Sequence, residues 1–212
     1  MKLKSGFTGS ILLLLIAAES FGQTDSIKNH FSVDLSIDYL KFASYLSDSQ
    51  EKYEGELGIM FGRYRIAGEY GMAELTPKDL FDNADYYAKG NYWRIGFDFK
   101  LPVNPKNNLY IGARYAATEF DESILIYYDS NTFNPYFEEN MGLKANWYEA
   151  VISSESRIIA QLYLGFKLRV RFMDSYDNPG LVEIYSIPGY GKSFDRSALA
   201  VNLFARYRIT FW

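Results

Sequence analysis

Side chains able to carry chemistry are few in this sequence, and they are scattered. His30 is the only histidine, and there is no cysteine. Thiolate catalysis, disulfides and cysteine-based metal sites are therefore unavailable, and any histidine base would have to be His30. His30 stands where the chain enters its first alternating segment, a position at which a lone histidine is ordinarily a polar end residue. The carboxylate pairs Asp121-Glu122 and Glu138-Glu139 could do acid–base work, but they fall in or beside polar stretches, where solvated surface is the plain reading. Residues 186–193 (SIPGYGKS) end like a phosphate-binding loop. That motif needs a glycine where Ser186 stands and a helix after it, whereas this segment runs on into a strand pattern. The glycines and Pro188 fit a turn shaping a large loop. Residues 174–180 carry carboxylates without the spacing of a calcium loop. No catalytic, cofactor or metal site is expected. The chain is read as a non-enzyme, with a carboxylate-based activity as the residual alternative.

The denser chemistry is a set of charges placed at every second residue. Asp34, Asp38, Glu54, Glu56, Glu69 and Asp98 alternate with apolar neighbours, and so do Arg65, Arg94, Lys100, Arg114, Lys167, Arg169, Arg171, Arg206 and Arg208. A period of two is the signature of a strand with one greasy and one wet face. The last segment, residues 199–212, shows it best. Leu199, Val201, Leu203, Ala205, Tyr207, Ile209 and Phe211 share one face, with Asn202, Arg206 and Arg208 on the other.

The elements that must position these charges follow from the same alternation. Strands are expected over residues 31–42, 54–61, 64–72, 91–101, from 109 toward 128, within 144–152, over 158–172 and over 199–212. In the sixth of these, Trp147 and Glu149 share a face, which a bulge would reconcile. Short turns are expected at Gly62-Arg63, residues 102–108 and residues 153–156. Longer loops are expected near 48–52 and at 76–90, 129–141 and 174–195. About eight strands of roughly ten residues, joined by alternating short and long connections, describe a single antiparallel up-and-down transmembrane β-barrel. Its greasy face would meet lipid and its charges would fill the lumen. Lipocalin-type soluble barrels have the opposite polarity, and an exported soluble barrel is the architectural alternative.

Composition agrees. The chain holds 19 Tyr and 16 Phe but only 6 Pro, consistent with aromatic-girdled strands. Its net charge of −4 offers no basic tail, so nucleic acid is not an expected partner. Lys2 and Lys4 precede the apolar run at residues 11–18, and Ser20-Phe21-Gly22 follows, the pattern of a signal peptide cleaved after Gly22. The expected organisation is a signal peptide over 1–22, a short periplasmic lead over 23–30, and an outer-membrane barrel over 31–212. Tyr207, Ile209 and Phe211 would form the assembly signal of the closing strand. Trp212, one residue out of phase, would turn inward or lie at the rim.

The order of the segments YEGELGIMFGRYRIAGEYG, KGNYWRIGFDFKL, NNLYIGARYA, KANWYEAVI, QLYLGFKLRVRF and IPGYGKSFDRSALAVNLFARYRI resembles an uncharacterised Bacteroidota family of unknown function. Members of that family are thought to form outer-membrane barrels. The resemblance runs from about Tyr53 to the end. It implies location and architecture, and no functional residue carries over from it.

An eight-stranded barrel is only wide enough for side chains to fill. Crowded opposite charges would pair there, because a lone desolvated charge is too costly. The expected lumen network comprises Asp38, Glu56, Arg65, Glu69, Arg94, Asp98, Lys100, Arg114, Lys167, Arg169, Arg171, Arg206 and Arg208, in a structural role. The expected function is a small closed envelope barrel with a structural or interaction role. Its expected partners are outer-membrane lipids, the barrel-assembly machinery during insertion and another envelope protein. A narrow channel or transporter for small or lipophilic solutes is the alternative, and a membrane-embedded enzyme comes last.

Overall fold

The computed structural model describes residues 30–39, 52–76, 83–104, 106–128 and 134–211. The expected signal peptide, most of the loop expected near 48–52 and Trp212 lie outside the described residues. Ten strands follow in chain order: β1 (Phe31–Asp38), β2 (Lys52–Phe61), β3 (Tyr64–Leu75), β4 (Ala84–Pro102), β5 (Asn107–Ile126), β6 (Tyr136–Arg157), β7 (Leu162–Tyr176), β8 (Ser186–Ile187), β9 (Gly191–Lys192) and β10 (Ser197–Phe211). Eight of them close into one antiparallel ring in the order β1-β10-β7-β6-β5-β4-β3-β2. β8 and β9 form a separate two-stranded ladder inside the connection from β7 to β10. The seam pairs the first and last strands, from Phe31 opposite Phe211 to Asp38 opposite Phe204. Closure leaves no open edge in the ring, which is what allows a sheet to sit in lipid.

Outside the ring the surface is apolar over a belt. Leu57, Ile66, Phe97, Ile111, Ile152, Leu168, Val201 and Ile209 are all exposed on it. Aromatic residues mark its upper edge. Tyr70 pairs in register with Trp93, and Trp93, Tyr115 and Tyr148 form a chain of ring contacts at 5.7 and 5.5 Å across β4, β5 and β6. Near the lower edge Phe31 meets Phe211 at 5.7 Å and Tyr64 meets Phe99 at 5.5 Å. Aromatic girdles at both margins of an apolar band match the two interfaces of a bilayer. Above the upper girdle the outer face turns polar, with Asn91 opposite Glu119 and Glu119 opposite Lys144.

Several expected boundaries are corrected. β4 begins at Ala84 and β6 at Tyr136, so residues 84–90 and 136–141 of the loops expected at 76–90 and 129–141 are strand. These upper extensions project past the girdle, where the outer residues Asp85 and Lys89 face water rather than lipid and the pattern resembles a loop. Asp121, Glu122, Glu138 and Glu139 accordingly lie within β5 and β6. Residues 153–156 are not a turn. They pair on both sides, Ser153 with Tyr110 and with Lys167, and the cross-strand ladders override the local turn propensity. The turn lies at 158–161 instead, closed by hydrogen bonds between Ile159 and Leu162, and β7 starts at Leu162. Gly62, at φ 59°, turns β2 into β3 as expected. The expected bulge appears as a register shift at Asn146/Trp147 against β7, yet Trp147 points inward with Glu149.

Candidate functional site

The interior has two layers, and the lower one is ionic. Arg65 donates to both oxygens of Asp34, at 3.1 and 2.5 Å, to Glu56 at 2.7 Å and to Asp98 at 2.9 Å. Arg94 donates to Glu54 at 2.8 Å and to Glu149 at 2.8 Å. Arg169 meets Glu69 and Glu149, both at 2.8 Å. Arg114 reaches Asp98 at 2.8 Å, and Lys167 holds Glu56. Arg206 spans Glu155 at 2.5 Å and Glu56 at 2.8 Å, with its Nε on Ser36 at 2.8 Å. Arg208 adds Glu155 at 2.8 Å. The register places these groups together. Arg65 faces Asp98, Glu69 faces Arg94, and Glu149 faces Arg171, each pair directly across neighbouring strands.

The side chains of Arg94, Arg169, Glu69 and Glu149 have no exposed surface. At that burial a single ion pair would cost several kcal/mol to desolvate, so only a network in which each guanidinium meets more than one oxygen offsets the loss. Space for it comes from glycines on the inward face. A methyl at Gly58 would land on Arg65 and Asp34, and one at Gly112 on Asp98.

Asp38, Glu56, Arg65, Glu69, Arg94, Asp98, Arg114, Lys167, Arg169, Arg171, Arg206 and Arg208 are all buried on the inward face, and Lys100 is half-buried there. Asp38 accepts from Asn202 at 2.5 Å. Sequence reasoning missed Glu149 and Glu155, which bind the arginines of β4, β7 and β10. The alternation through Trp147, Glu149, Val151, Ser153 and Glu155 carries the signal, but the serines at 153, 154 and 156 imitate a turn. On the outer face Tyr207, Ile209 and Phe211 are exposed. His30 is exposed at the short-turn end, where its carbonyl accepts from the Gly62 amide at 3.2 Å.

The upper layer is mainly apolar, with Thr118 and Glu122 buried among its walls. Leu75, Tyr86, Tyr92, Phe120, Ile124, Leu143 and Trp147 line the inside of the extensions, and Ile184, Ile187 and Tyr190 enter from the β7–β10 connection to complete the cluster. The segment that reads in sequence as an outer turn is thus a plug. Tyr190 packs edge-on against Trp147 at 5.6 Å, Arg94 donates to Gly189 O at 2.9 Å and Arg171 to Tyr190 O at 2.5 Å. Tyr86 accepts from the Ser186 amide at 3.1 Å and donates its one proton to Glu122 at 2.8 Å. Gly189 sits at φ 83°, and a side chain there would strike Tyr92, whose Cγ is 2.5 Å from the ideal Cβ position.

A ring of eight strands, apolar outside and ionic inside, is a closed transmembrane β-barrel of the outer-membrane kind, the class that resides in the outer membrane. More particularly, the chain belongs to the family described as "Domain of unknown function (DUF6048)", whose model matches residues 5–212. No curated relative matches the sequence. Among solved structures, the chain is similar to the N-terminal β-barrel domain of Pseudomonas aeruginosa OprF, at 10% identity and TM-score 0.45, covering 84% of this chain and 97% of that one. It is similar to Neisserial surface protein A (NspA) at 9% identity and TM-score 0.44, covering 86% and 96%. It is also similar to a major outer membrane protein from Thermus thermophilus, at 12% identity and TM-score 0.45, covering 86% and 100%.

Proposed function

We propose that the protein is a closed outer-membrane barrel with a structural or interaction role in the cell envelope, and that it associates with another envelope component. The observation carrying this reading is the doubly filled lumen, an ionic layer below and an apolar layer above that the β7–β10 connection fills. A barrel with no free passage presents its walls and its long-loop end rather than its interior. The upper extensions of β4, β5 and β6 supply a projecting surface with Tyr87, Phe137 and Met141 exposed. The belt meets outer-membrane lipid, and the alternating Tyr207, Ile209 and Phe211 form the signal that the assembly machinery reads during insertion. The test is co-purification of the full chain from detergent-solubilised envelopes after mild cross-linking. Reproducible recovery of one envelope component, lost when Phe137 and Met141 are replaced by serine, supports the reading. Repeated recovery of the protein alone contradicts it.

A further inference from the structure

The contact between the plug and the ionic layer is chemically mismatched. Glu149 is shared by three guanidinium groups, Arg94 at 2.8 Å, Arg169 at 2.8 Å and Arg171 at 3.4 Å. Arg94 and Arg169 have further carboxylates at 2.8 Å, in Glu54 and Glu69. For Arg171, Glu149 at 3.4 Å is the one carboxylate within ion-pair range among the described residues. Its short hydrogen bond, at 2.5 Å, goes to a neutral acceptor, the carbonyl of Tyr190. Arg94 does the same beside it, with Nη2 on Gly189 O at 2.9 Å. Two buried cations thus aim N–H groups at two consecutive backbone carbonyls, where an anionic oxygen would form the stronger, charge-assisted bond.

The walls above that floor are those of a ligand cup. Tyr86, Tyr92, Phe120, Ile124, Leu143 and Trp147 are buried and surround the plug tip. The plug is a separate element, because its β8–β9 ladder pairs with no strand of the ring. Its polar attachments to the wall include those to Arg94, Arg171 and Tyr86, and its own ladder is separate from the ring, so withdrawing it would break no rung of the barrel. From these contacts we infer that the residues 184–191 occupy a binding site for an amphipathic oxyanion, a molecule with an apolar body and one carboxylate or phosphate head. Ile187 and Tyr190 stand in for the apolar body, and the carbonyls of Gly189 and Tyr190 stand in for the head. Ligand and plug compete for one cup, so the site is masked at rest and opens when the loop swings out.

The test uses the full chain in lipid nanodiscs and three fluorescent probes sharing one aryl-alkyl tail: the carboxylate, its methyl ester and the phosphate monoester. Gly189→Val releases the plug, because the new side chain meets Tyr92 at a backbone conformation that L residues rarely adopt. The expected result is saturable binding of an anionic probe at least about tenfold tighter than to the wild-type chain, with the ester left behind. Adding Arg171→Gln should abolish the preference for the anion over the ester. A carboxylate-first or a phosphate-first order would each support the site and would tell the two head groups apart. The inference is overturned if Gly189→Val, still heat-modifiable and still β-sheet by circular dichroism, binds no better than wild type. It is equally overturned if acid and ester bind alike. Should Gly189→Val fail to fold, a chain with residues 184–191 replaced by a Gly/Ser linker of equal length answers the same question by the same outcomes.

Discussion

Trp147 donates its indole N–H to Glu149 Oε1 at 2.7 Å, two residues along one strand and on one inward face. The pair stands at the boundary between the two interior layers. The indole belongs to the apolar cup, while the carboxylate gathers Arg94, Arg169 and Arg171 from β4 and β7.

Removing Glu149 should therefore cost far more than removing the indole N–H. Glu149→Ala leaves three buried guanidinium groups without their shared counter-charge, and is expected to destabilise the barrel by about 3–5 kcal/mol. Trp147→Phe removes one hydrogen bond and leaves a smaller ring, at about 1–3 kcal/mol. Urea titration of the heat-modifiable gel band reads both, and equal midpoints for wild type and Glu149→Ala would contradict the network.

Two glycines, Gly58 on the inward face and Gly68 on the outward one, give a second, paired test. Gly58→Ala puts a methyl onto Arg65 and Asp34, whose positions are fixed by their own ion pairs, and is expected to cost about 1–3 kcal/mol. Gly68 lies in the next strand, and a methyl added there would meet nothing within 4 Å. Gly68→Ala should therefore leave stability unchanged or slightly raised. The same titration decides between them.

Lipid contact predicts a depth dependence on the outer face. Phe97 is 64% exposed within the belt, and Phe97→Arg should destabilise the barrel in vesicles by about 2–4 kcal/mol. Asp121 lies on β5 above the Tyr115 girdle, and Asp121→Arg should cost no more than about 1 kcal/mol. Equal costs at the two positions, measured by folding into phospholipid vesicles, would argue against the assigned membrane level.

Glu122 supplies a pH dependence above the membrane. It follows the outward-facing Asp121 on β5 but points inward, where burial pushes its carboxyl above the ordinary range despite the lowering hydrogen bond from Tyr86 at 2.8 Å. A raised folded-state pKa means that the group's contribution to stability is fully present below the unfolded carboxylate value of about 4.3. It is lost as pH rises through the raised folded value. Wild-type stability should fall relative to Glu122→Gln across that window, and parallel stability–pH curves would refute the assignment.

Much of the barrel is legible in the alternation, because the belt forces one face to be apolar. The inward placement of Arg65, Arg94, Arg169 and Arg206 follows from period two alone. The pattern loses its meaning where the solvent outside changes. In residues 84–92 the outer residues Asp85, Lys89 and Asn91 meet water while Tyr86, Ala88 and Tyr92 face a dry interior, so the polarity of the two faces inverts within one strand. Under the rule that puts arginines inside, this stretch looks like a loop. Trp147 is ambiguous for the same reason, since an aromatic residue suits both the lipid interface and an apolar cup. Glu155 is hidden by its serine neighbours. The plug is beyond reach, because its fit depends on Arg94 and Tyr92, roughly a hundred residues away in sequence, and no local period encodes such a contact.

The most direct test of the closed lumen is electrical. Purified full-length protein, inserted into planar lipid bilayers at high salt, should give no stepwise conductance while protease protection shows it inserted. Reproducible unitary steps from the inserted wild-type chain would contradict the account, because they would require a continuous water path through the ionic layer of Arg65, Glu69, Arg94, Glu149 and Arg169.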